Sequence, residues 1–233
     1  VARRDHYLIT CEHGGNRIPA RYRHLFAGLE DLLASHRGYD PGALVMAEAL
    51  AGALEAPLFV STTSRLLIEL NRSLGHPRLY SVATRSAPPS VRQEILERHY
   101  LPYRSAAETH IREAIARGMR VVHLSSHSFT PELDGRIRDA DVGLLYDPAR
   151  AGEVELCRRW QLQLRSLMRG WKIRRNYPYT GKSDGFTAYL RRCFPADAYV
   201  GIELEINQKH VSNQPQQWRD FRCRVIEALR QAM

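Results

Sequence analysis

The clearest predicted β-strand in this 233-residue chain is Arg120-Val-Val-His-Leu-Ser-Ser126, which leads directly into His127. Short apolar runs of this kind are typical of buried strands. Similar runs predict further strands at residues 7–11, 57–62, 66–70, 142–146, 171–175 and 199–206. Predicted strands therefore recur along the whole length of the chain.

Predicted helices alternate with these strands. Apolar residues near helical spacing place the helices at residues 20–36, 41–55, 91–117, 153–169 and 215–232. Asp40 and Ser90 have side chains suited to helix N-caps, and Pro41 suits the first helical position. Pro102 lies inside the third helix, so we expect a kink or a break there. The predicted loops are residues 134–139 and 176–186.

The alternation of strands and helices predicts the fold class. Several of the strands are apolar on both faces, which is typical of a sheet covered by helices on two sides. The sequence contains no internal repeat, no low-complexity tract and no composition shift that would mark a domain boundary. We therefore predict an α/β protein whose residues 1–233 form a single domain.

The chain is strongly basic, with a formal net charge of +9, and this excess favours an anionic partner. Only three of its 34 basic residues are lysines, and the arginines are spread along the chain rather than gathered in one tract. No helix-turn-helix, zinc-finger or RNA-binding signature accompanies them. We therefore expect a small anionic substrate rather than a nucleic acid.

The cysteines and the apolar runs predict the compartment. The four cysteines are scattered, without a Cys-x-x-Cys pair, which is typical of reduced cytosolic thiols. No apolar run approaches the 18 or so residues of a membrane helix, and the first residues lack a signal-peptide pattern. These features predict a cytoplasmic protein with no membrane association. Cys11 could be a nucleophile, but a small buried residue at a strand end is the simpler interpretation.

Polar residues cluster at the ends of the predicted strands or in the loops that follow them. In open α/β folds the ligand site gathers at the carboxyl ends of the strands, so these clusters are candidates for one site. The four clusters are Glu12 to Asn16, Arg65 with Asn71-Arg72, Ser125 to Ser128, and Gly201 to Asn207.

His13 and His127 each follow a predicted strand directly. Two histidines at neighbouring strand ends can share a metal ion, because neutral imidazole is a common zinc ligand. The alternative is that each is a hydrogen-bonded structural residue. His123 lies on the strand itself, and we predict a structural role for it.

The remaining two clusters contain charged side chains beside apolar ones. The planar fork of an arginine such as Arg65 or Arg72 can grip a carboxylate, although Arg65 could instead pair with Glu69. Glu203 and Glu205 lie on the same face of one strand, because the strand period is two. A partly buried glutamate there could be a general base or could simply pair with an arginine.

Taken together, these blocks resemble the ordered motifs of the N-formylglutamate amidohydrolase family over roughly residues 8–210. The matching blocks are His13-Gly14-Gly15 with Pro19, Asp40, Ser64-Arg65 with Leu70-Asn71-Arg72, His127-Ser128, Asn176 to Gly181, and Glu203 to Asn207. That family is in turn similar to the zinc carboxypeptidases and aspartoacylases. The resemblance implies a three-layer αβα domain with a mixed, mostly parallel sheet, of the zinc-carboxypeptidase (phosphorylase/hydrolase-like) type.

The resemblance also implies roles for individual side chains in these motifs. The implied metal ligands are His13, Asp40 and His127. The implied catalytic residues are Arg65, which would polarise the scissile carbonyl, and Glu205, the general base. The implied substrate-binding residues are Asn71, Arg72, Tyr179 and Gly181. Asn16 stands where related enzymes have a glutamate ligand, which is why Asp40 is assigned as the anionic ligand, and Glu203 stands where relatives commonly have glutamine.

The implied function is metal-dependent hydrolysis of the amide bond of a small acidic N-acyl amino acid such as N-formylglutamate, with zinc or another divalent metal as cofactor. Two alternatives stay open from the sequence. One is a deacylase or aminoacylase of different acyl specificity. The other is a metal-free module that keeps the fold and binds a carboxylate.

Overall fold

The computed structural model describes residues 3–211 and 214–233, and its centre is a six-stranded sheet. The strands of this sheet are β1 (Asp5–Cys11), β2 (Leu58–Val60), β3 (Arg120–Phe129), β6 (Val142–Leu145), β7 (Ile173–Arg175) and β8 (Tyr199–Asn207). Their spatial order is β2-β1-β3-β8-β6-β7. Every neighbouring pair is parallel except β8 and β6, which are antiparallel. The predicted mixed, mostly parallel sheet is confirmed.

Helices cover both faces of this sheet, so the predicted three-layer arrangement is also confirmed. The α-helices are α1 (Glu30–Ala34), α2 (Ala43–Leu54), α3 (Pro89–Ile95), α4 (Leu101–Ala116), α5 (Ala151–Leu167), α6 (Phe186–Cys193) and α7 (Pro215–Ala232). A π-helical turn (Leu96–Tyr100) and two 3₁₀ segments (Ala20–Phe26, Gln208–His210) complete the helical elements of the described residues.

The two faces of the sheet differ because side chains alternate along each strand. On β3, Val122 and Leu124 point into the larger core, where α2, α5 and α7 cover the sheet around Trp160. The residues of β3 that alternate with these two, such as Val121, point to the opposite face of the sheet, which α4 and α6 cover in part. On that face the central strands carry buried polar side chains instead of a continuous apolar surface.

The parallel order of β1, β3 and β8 brings their carboxyl ends to one edge of the sheet. His127 on β3 is the register partner of Glu205 on β8, and His13 follows the end of β1. Residues far apart in sequence are therefore neighbours at this edge. A ligand-binding site can therefore form where the polar face of the sheet meets the carboxyl ends of β1, β3 and β8.

The strand predicted at residues 66–70 is wrong. This segment forms turns, beginning with a hydrogen bond from Leu67 N to Ser64 O. Its apolar side chains are buried, but they pack with Tyr22 and Ile95 in a separate cluster rather than in the sheet. An apolar run reports burial, and here the burial comes from a folded loop.

Several predicted helix boundaries are also wrong. Residues 20–36 form a 3₁₀ segment and the short α1 rather than one helix. Helix α2 begins at Ala43 after Gly42, whose φ of 81° suits glycine, so Asp40 does not cap it through its side chain. Ser90 is not an N-cap either, because α3 already begins at Pro89.

The π-helical turn separates α3 from α4 immediately before Pro102, and this interruption of the α-helix is the break expected there. Two predicted loops differ in detail from the prediction. The loop predicted at 134–139 contains half of a small hairpin, β4 (Glu132–Leu133) with β5 (Arg136–Ile137). Helix α6, which was not predicted, follows the loop at 176–185. No helix among the described residues is long and apolar enough to cross a membrane.

Candidate active site

Asp40 lies between the two histidines at the carboxyl edge of the sheet. Its Oδ2 atom is 3.2 Å from Nδ1 of His13 and 3.0 Å from Nδ1 of His127. All three side chains are buried. The backbone helps to place them, because the N–H of Asp40 donates to the carbonyl of His13 at 3.0 Å. Both imidazoles therefore present the same ring nitrogen to one carboxylate oxygen.

These three side chains fit a metal ion. One candidate ligand atom from each of His13, Asp40 and His127 can be chosen so that all three lie within 4.8 Å of one another. In a tetrahedral zinc site with bonds of about 2.0–2.1 Å, ligand atoms lie about 3.3 Å apart. The separations of 3.0 and 3.2 Å from Asp40 to the two nitrogens are close to this spacing. Two histidines and a carboxylate also form a donor set that zinc enzymes use.

The pKa values of Asp40 and His127 are shifted in opposite directions, which favours an anionic Asp40 beside a protonated His127 when no other cation is bound. Burial alone would raise the pKa of Asp40, but the charge of His13 and the hydrogen bonds from both histidines hold that pKa well below its ordinary value. Burial alone would lower the pKa of His127, but its hydrogen bonds with Asp40 and Glu12 raise it well above its ordinary value. Asp40 is therefore an anion, and a bound cation would compete with a proton for the space beside it.

Two buried glutamates to which the sequence assigned no metal-binding, catalytic or substrate-binding role contact the other ring nitrogens. Glu69 accepts a hydrogen bond from Nε2 of His13 through Oε1. Oε2 of Glu12 lies 3.1 Å from Nε2 of His127. A signal for both was present in the sequence, because Glu12 directly precedes His13 and Glu69 interrupts an apolar run. A charge among apolar residues needs a partner, which is the reasoning that selected Glu205.

Arg65 joins two of these carboxylates. Its Nε donates to Oε2 of Glu69 at 2.7 Å, and its Nη1 donates to Oδ1 of Asp40 at 3.1 Å. The ion pair with Glu69 that the sequence analysis considered as an alternative is therefore present, but it is part of the site rather than an isolated surface pair. Nη2 of Arg65 also lies 2.6 Å from Oε2 of Glu69, and the Arg65 side chain is 26% exposed, so part of it faces the solvent.

Glu205 faces the same space from β8. It is the register partner of His127, and the carboxylate is buried. Its Oε2 atom has no hydrogen-bond partner among the residues that the structure describes. Burial, with further contributions from the nearby charges of Asp40 and Glu203, raises the pKa of Glu205 to about 8. A buried carboxyl with a free oxygen and a pKa near neutrality is well suited to accept and return a proton.

Glu203 has a different environment from Glu205 although both lie on the same face of β8. Its Oε1 accepts a hydrogen bond from the hydroxyl of Thr187 on α6 at 2.5 Å. The structure therefore gives Glu203 a partner in the neighbouring helix, whereas one oxygen of Glu205 is left without one.

Asn71 and Arg72 form the side of the site nearest to Glu69. The N–H of Asn71 donates to Oε1 of Glu69 at 3.0 Å, and its side-chain Oδ1 accepts from the N–H of Phe186 at 2.6 Å. Nη1 of Arg72 donates to the carbonyl of Asp184 at 2.6 Å. Asn71 and Arg72 are thus hydrogen-bonded to the first residue of α6 and to the loop just before it, respectively.

Tyr179 and Gly181 lie in the loop before α6 but have different surroundings. Tyr179 is 45% exposed and close enough to Arg65 to influence its pKa, and its hydroxyl accepts from Nη1 of Arg138 at 3.0 Å. At Gly181 a Cβ would lie 2.3 Å from the backbone nitrogen of Tyr146, so only glycine fits there. Tyr179 therefore lies at the rim of the site. Glycine is required at position 181 by close packing against the backbone of Tyr146.

Asn16 and His123 lie outside the cluster of His13, Asp40 and His127. Asn16 is exposed, and its amide donates to the carbonyl of Leu33 at 3.1 Å. His123 is fully buried, and its two ring nitrogens lie within hydrogen-bond distance of Thr10 and Tyr199. Burial lowers the pKa of His123 to about 4, which keeps the ring neutral. These surroundings agree with the structural role predicted for His123.

Comparison with known proteins identifies one matching family and several solved structures with a similar fold. A family model described as N-formylglutamate amidohydrolase matches residues 6–211. The crystal structure of a gene product from Agrobacterium tumefaciens is 29% identical, with a TM-score of 0.83 over 99% of this chain and 91% of that one. An N-formylglutamate amidohydrolase from Ralstonia eutropha is 19% identical, with a TM-score of 0.67 over 96% of this chain and 92% of that one. The latter likeness concerns the fold alone. No curated protein sequence compared with this chain matches it.

Proposed function

Because this chain belongs to the N-formylglutamate amidohydrolase family and is therefore a hydrolase of amide C–N bonds, we propose that it is metal-dependent and deacylates a small acidic N-acyl amino acid such as N-formylglutamate. One observation carries the proposal. Nδ1 of His13 and Nδ1 of His127 converge on a single oxygen of Asp40, beside a buried Glu205.

His13, Asp40 and His127 would hold the metal ion. A divalent metal in this position supplies a Lewis acid that polarises the amide carbonyl and lowers the pKa of water. Asp40 contributes the negative charge that two neutral imidazoles lack. It thereby serves in place of a glutamate at Asn16, whose amide lies elsewhere.

Glu205 would move the proton. Its unpartnered Oε2 accepts the proton of the attacking water and then donates it to the leaving nitrogen. Arg65 would stabilise the negative charge that develops on the carbonyl oxygen, using the N–H groups that are not bonded to Asp40 or Glu69. One well-placed donor of this kind contributes about 3 kcal/mol to a transition state.

Asn71, Arg72 and Tyr179 would bind the carboxylates of the substrate, and the Gly181 turn would shape the loop that carries Tyr179. Arg72 has further N–H groups beyond the one that donates to Asp184. The net charge of +9 also favours an anionic substrate. The family resemblance implies zinc or another divalent metal and a substrate such as N-formylglutamate, and the scattered cysteines favour a cytoplasmic location.

A hydrolysis screen tests the proposal. The protein is stripped with a chelator and reconstituted with Zn²⁺, Co²⁺, Mn²⁺ or Mg²⁺. It is then assayed with N-formyl-L-glutamate, N-formyl-L-leucine, N-acetyl-L-glutamate and N-succinyl-L-glutamate. We expect turnover only with metal, and the highest kcat/KM with N-formyl-L-glutamate. If no reconstituted sample hydrolyses any of the four, the proposed function is wrong, and a preference for another acyl group would correct the substrate.

The variant Glu205→Gln is the control for the chemical step. It keeps the shape of the side chain but cannot accept the proton, so we expect turnover to fall by at least about 100-fold while the bound metal per chain stays unchanged. Metal content is measured by atomic emission on the same samples. Full activity in this variant would exclude Glu205 as the base.

A further inference from the structure

Glu12 and Glu69 lie next to the two histidines of the candidate site. Both carboxylates are buried, with 0% and 7% of the residue exposed, and neither has a role in the function proposed above. Each contacts Nε2 of one histidine, on the side of the ring opposite to Asp40. Both histidines therefore have a glutamate on Nε2 and the common aspartate on Nδ1, and Nε2 of His127 has a second partner in Oγ of Ser125 at 2.9 Å.

This arrangement determines which nitrogen of each ring faces the metal position. The Nε2–H of each ring has an acceptor, so the lone pair of Nδ1 is left for the ligand. One metal ion could bind both Nε2 atoms only if these atoms faced the same position. Nε2 of His13 faces Glu69, however, and Nε2 of His127 faces Glu12. On the Nδ1 side both rings face the same oxygen of Asp40.

We propose that Glu12 and Glu69 are positioning residues that orient His127 and His13 for metal binding through Nδ1, and that Glu69 also connects the metal site to the substrate-binding side chains. The inference rests on the proposed function. A carboxylate behind a ligating histidine fixes the orientation of the ring and raises its basicity. Such a partner commonly changes metal affinity by about 10- to 100-fold.

The surroundings of the two glutamates differ, and the difference makes the proposal specific. Glu12 receives hydrogen bonds from two hydroxyl groups, of Tyr103 at 2.9 Å and of Ser125 at 2.7 Å. Hydroxyl groups can turn and accept a hydrogen bond instead. A glutamine at position 12 can therefore be accommodated with limited loss.

Two of the three partners of Glu69 are groups that can only donate. Its oxygens accept from Nε of Arg65 and from the backbone N–H of Asn71, as well as from His13. Neither a guanidinium nor a backbone N–H can accept from an amide. In Glu69→Gln the new NH₂ group would face donors in either orientation of the amide: Arg65 at the position of Oε2, or Asn71 together with His13 at the position of Oε1. One of these two sets of contacts would therefore be lost.

Metal affinity and steady-state kinetics of Glu12→Gln and Glu69→Gln test the inference. Zinc affinity is measured by competition with a chromogenic chelator, and KM is measured at saturating zinc with the best substrate of the screen. We expect Glu12→Gln to lose on the order of 10-fold in zinc affinity and Glu69→Gln on the order of 100-fold. KM should rise on the order of 10-fold in Glu69→Gln, and less in Glu12→Gln.

A buried glutamate remote from the histidines provides the matched control. Glu153 has 0% exposure and pairs with Arg191, so Glu153→Gln also removes a buried negative charge. We expect its zinc affinity to equal that of the wild type. An equal loss in all three variants would overturn the inference, and equal KM values in Glu12→Gln and Glu69→Gln would overturn the connection to the substrate side.

A measurement on the wild type keeps the inference testable if a variant fails to fold. In zinc-loaded protein with ¹⁵N-labelled histidine, NMR should show Nδ1 as the coordinating nitrogen and Nε2 as protonated in both His13 and His127. Coordination through Nε2 of either ring would overturn the inference. Failure of the wild type to bind metal or to hydrolyse any substrate would instead overturn the proposed function, so the two failures are distinguishable.

Discussion

Asp40 is the residue whose surroundings explain most about the site. The sequence suggested two uses for it, as a helix N-cap and as the anionic ligand. The structure excludes the capping role, because α2 begins at Ala43. Its carboxylate instead contacts both histidines through Oδ2 and Arg65 through Oδ1. A side chain cannot serve both purposes, and the charged partners outweigh the single hydrogen bond of a cap.

Glu205 gives a prediction for stability against pH. Burial raises its folded-state pKa to about 8 from an ordinary value of 4.5. Between these pH values the folded state holds a proton that the unfolded state has lost, so the contribution of this residue to stability falls as pH rises. In Glu205→Gln this loss is absent. The difference in free energy of unfolding, variant minus wild type, should therefore increase by up to about 1.4 kcal/mol per pH unit across this range.

Urea denaturation of the two metal-free proteins at pH 5, 6.5, 8 and 9 measures this difference. The increase should level off above pH 8, where both states of the wild type are ionised. A difference that is the same at all four pH values would show that Glu205 is ionised throughout.

Arg72 gives a prediction for substrate binding. If it grips a substrate carboxylate, Arg72→Ala removes a charge-assisted hydrogen bond, and KM should rise by roughly 10- to 100-fold. Substrates in which that carboxylate is replaced by an amide provide the control, because their KM should change little. A similar increase in KM for both substrates would indicate that Arg72 acts only through its bond to Asp184.

At the scale of elements, the close approach of the Tyr177 loop to β6 shapes the site beside β8. Gly143 on β6 is the register partner of Glu205. A Cβ at Gly143 would lie 2.0 Å from the carbonyl oxygen of Tyr177 and 3.2 Å from Cβ of Glu205. The loop that carries Tyr179 can therefore reach the site only because residue 143 has no side chain.

Gly143→Ala tests this close approach. The methyl group would force the loop or the strand to move, so we expect a loss of roughly 1–3 kcal/mol in the free energy of unfolding, together with reduced kcat/KM. Gly52→Ala is the matched control. Nothing lies within 4 Å of a Cβ at this position in α2, so that variant should gain up to about 1 kcal/mol. Equal stability of Gly143→Ala and the wild type would show that the loop can yield freely.

At the scale of the whole molecule, the proposed metal site would join three distant parts of the chain. His13, Asp40 and His127 lie after β1, before α2 and on β3, respectively. A ligand that binds the folded state but not the unfolded state stabilises it, by about 4 kcal/mol when the free ligand is 1,000 times its Kd. Global stability should therefore depend on metal.

Thermal unfolding at increasing zinc concentration measures this coupling. We expect Tm to rise with the logarithm of the zinc concentration above Kd and to return to the metal-free value when chelator is added. In Asp40→Asn the rise should be displaced to much higher zinc concentrations, because an amide oxygen is a poor ligand for zinc. A Tm that is independent of zinc in the wild type would contradict a metal site that spans these three segments.

The elements were predicted with uneven success for physical reasons. Helix α7 was predicted at its observed bounds, and β3 and β8 were predicted closely, because long periodic or apolar segments with clear ends carry a strong local signal. Helix α6 was not predicted, since eight residues after a loop contain only two turns of pattern. The apolar run at 66–70 was mistaken for a strand because burial in a loop and burial in a sheet need the same residues.

The sequence by itself determined the fold class, the family and most candidate residues of the site. Periodicity and strand-end residues are local properties, and the order of motifs can be read directly along the chain. Only the tertiary structure decided how the candidates meet. The parallel order of β1, β3 and β8 brought His13, His127 and Glu205 to one edge of the sheet. Loop packing added Glu12 and Glu69, whose importance depends on contacts such as that between Glu69 and His13. Such contacts join residues more than 50 positions apart, and a local pattern cannot encode them.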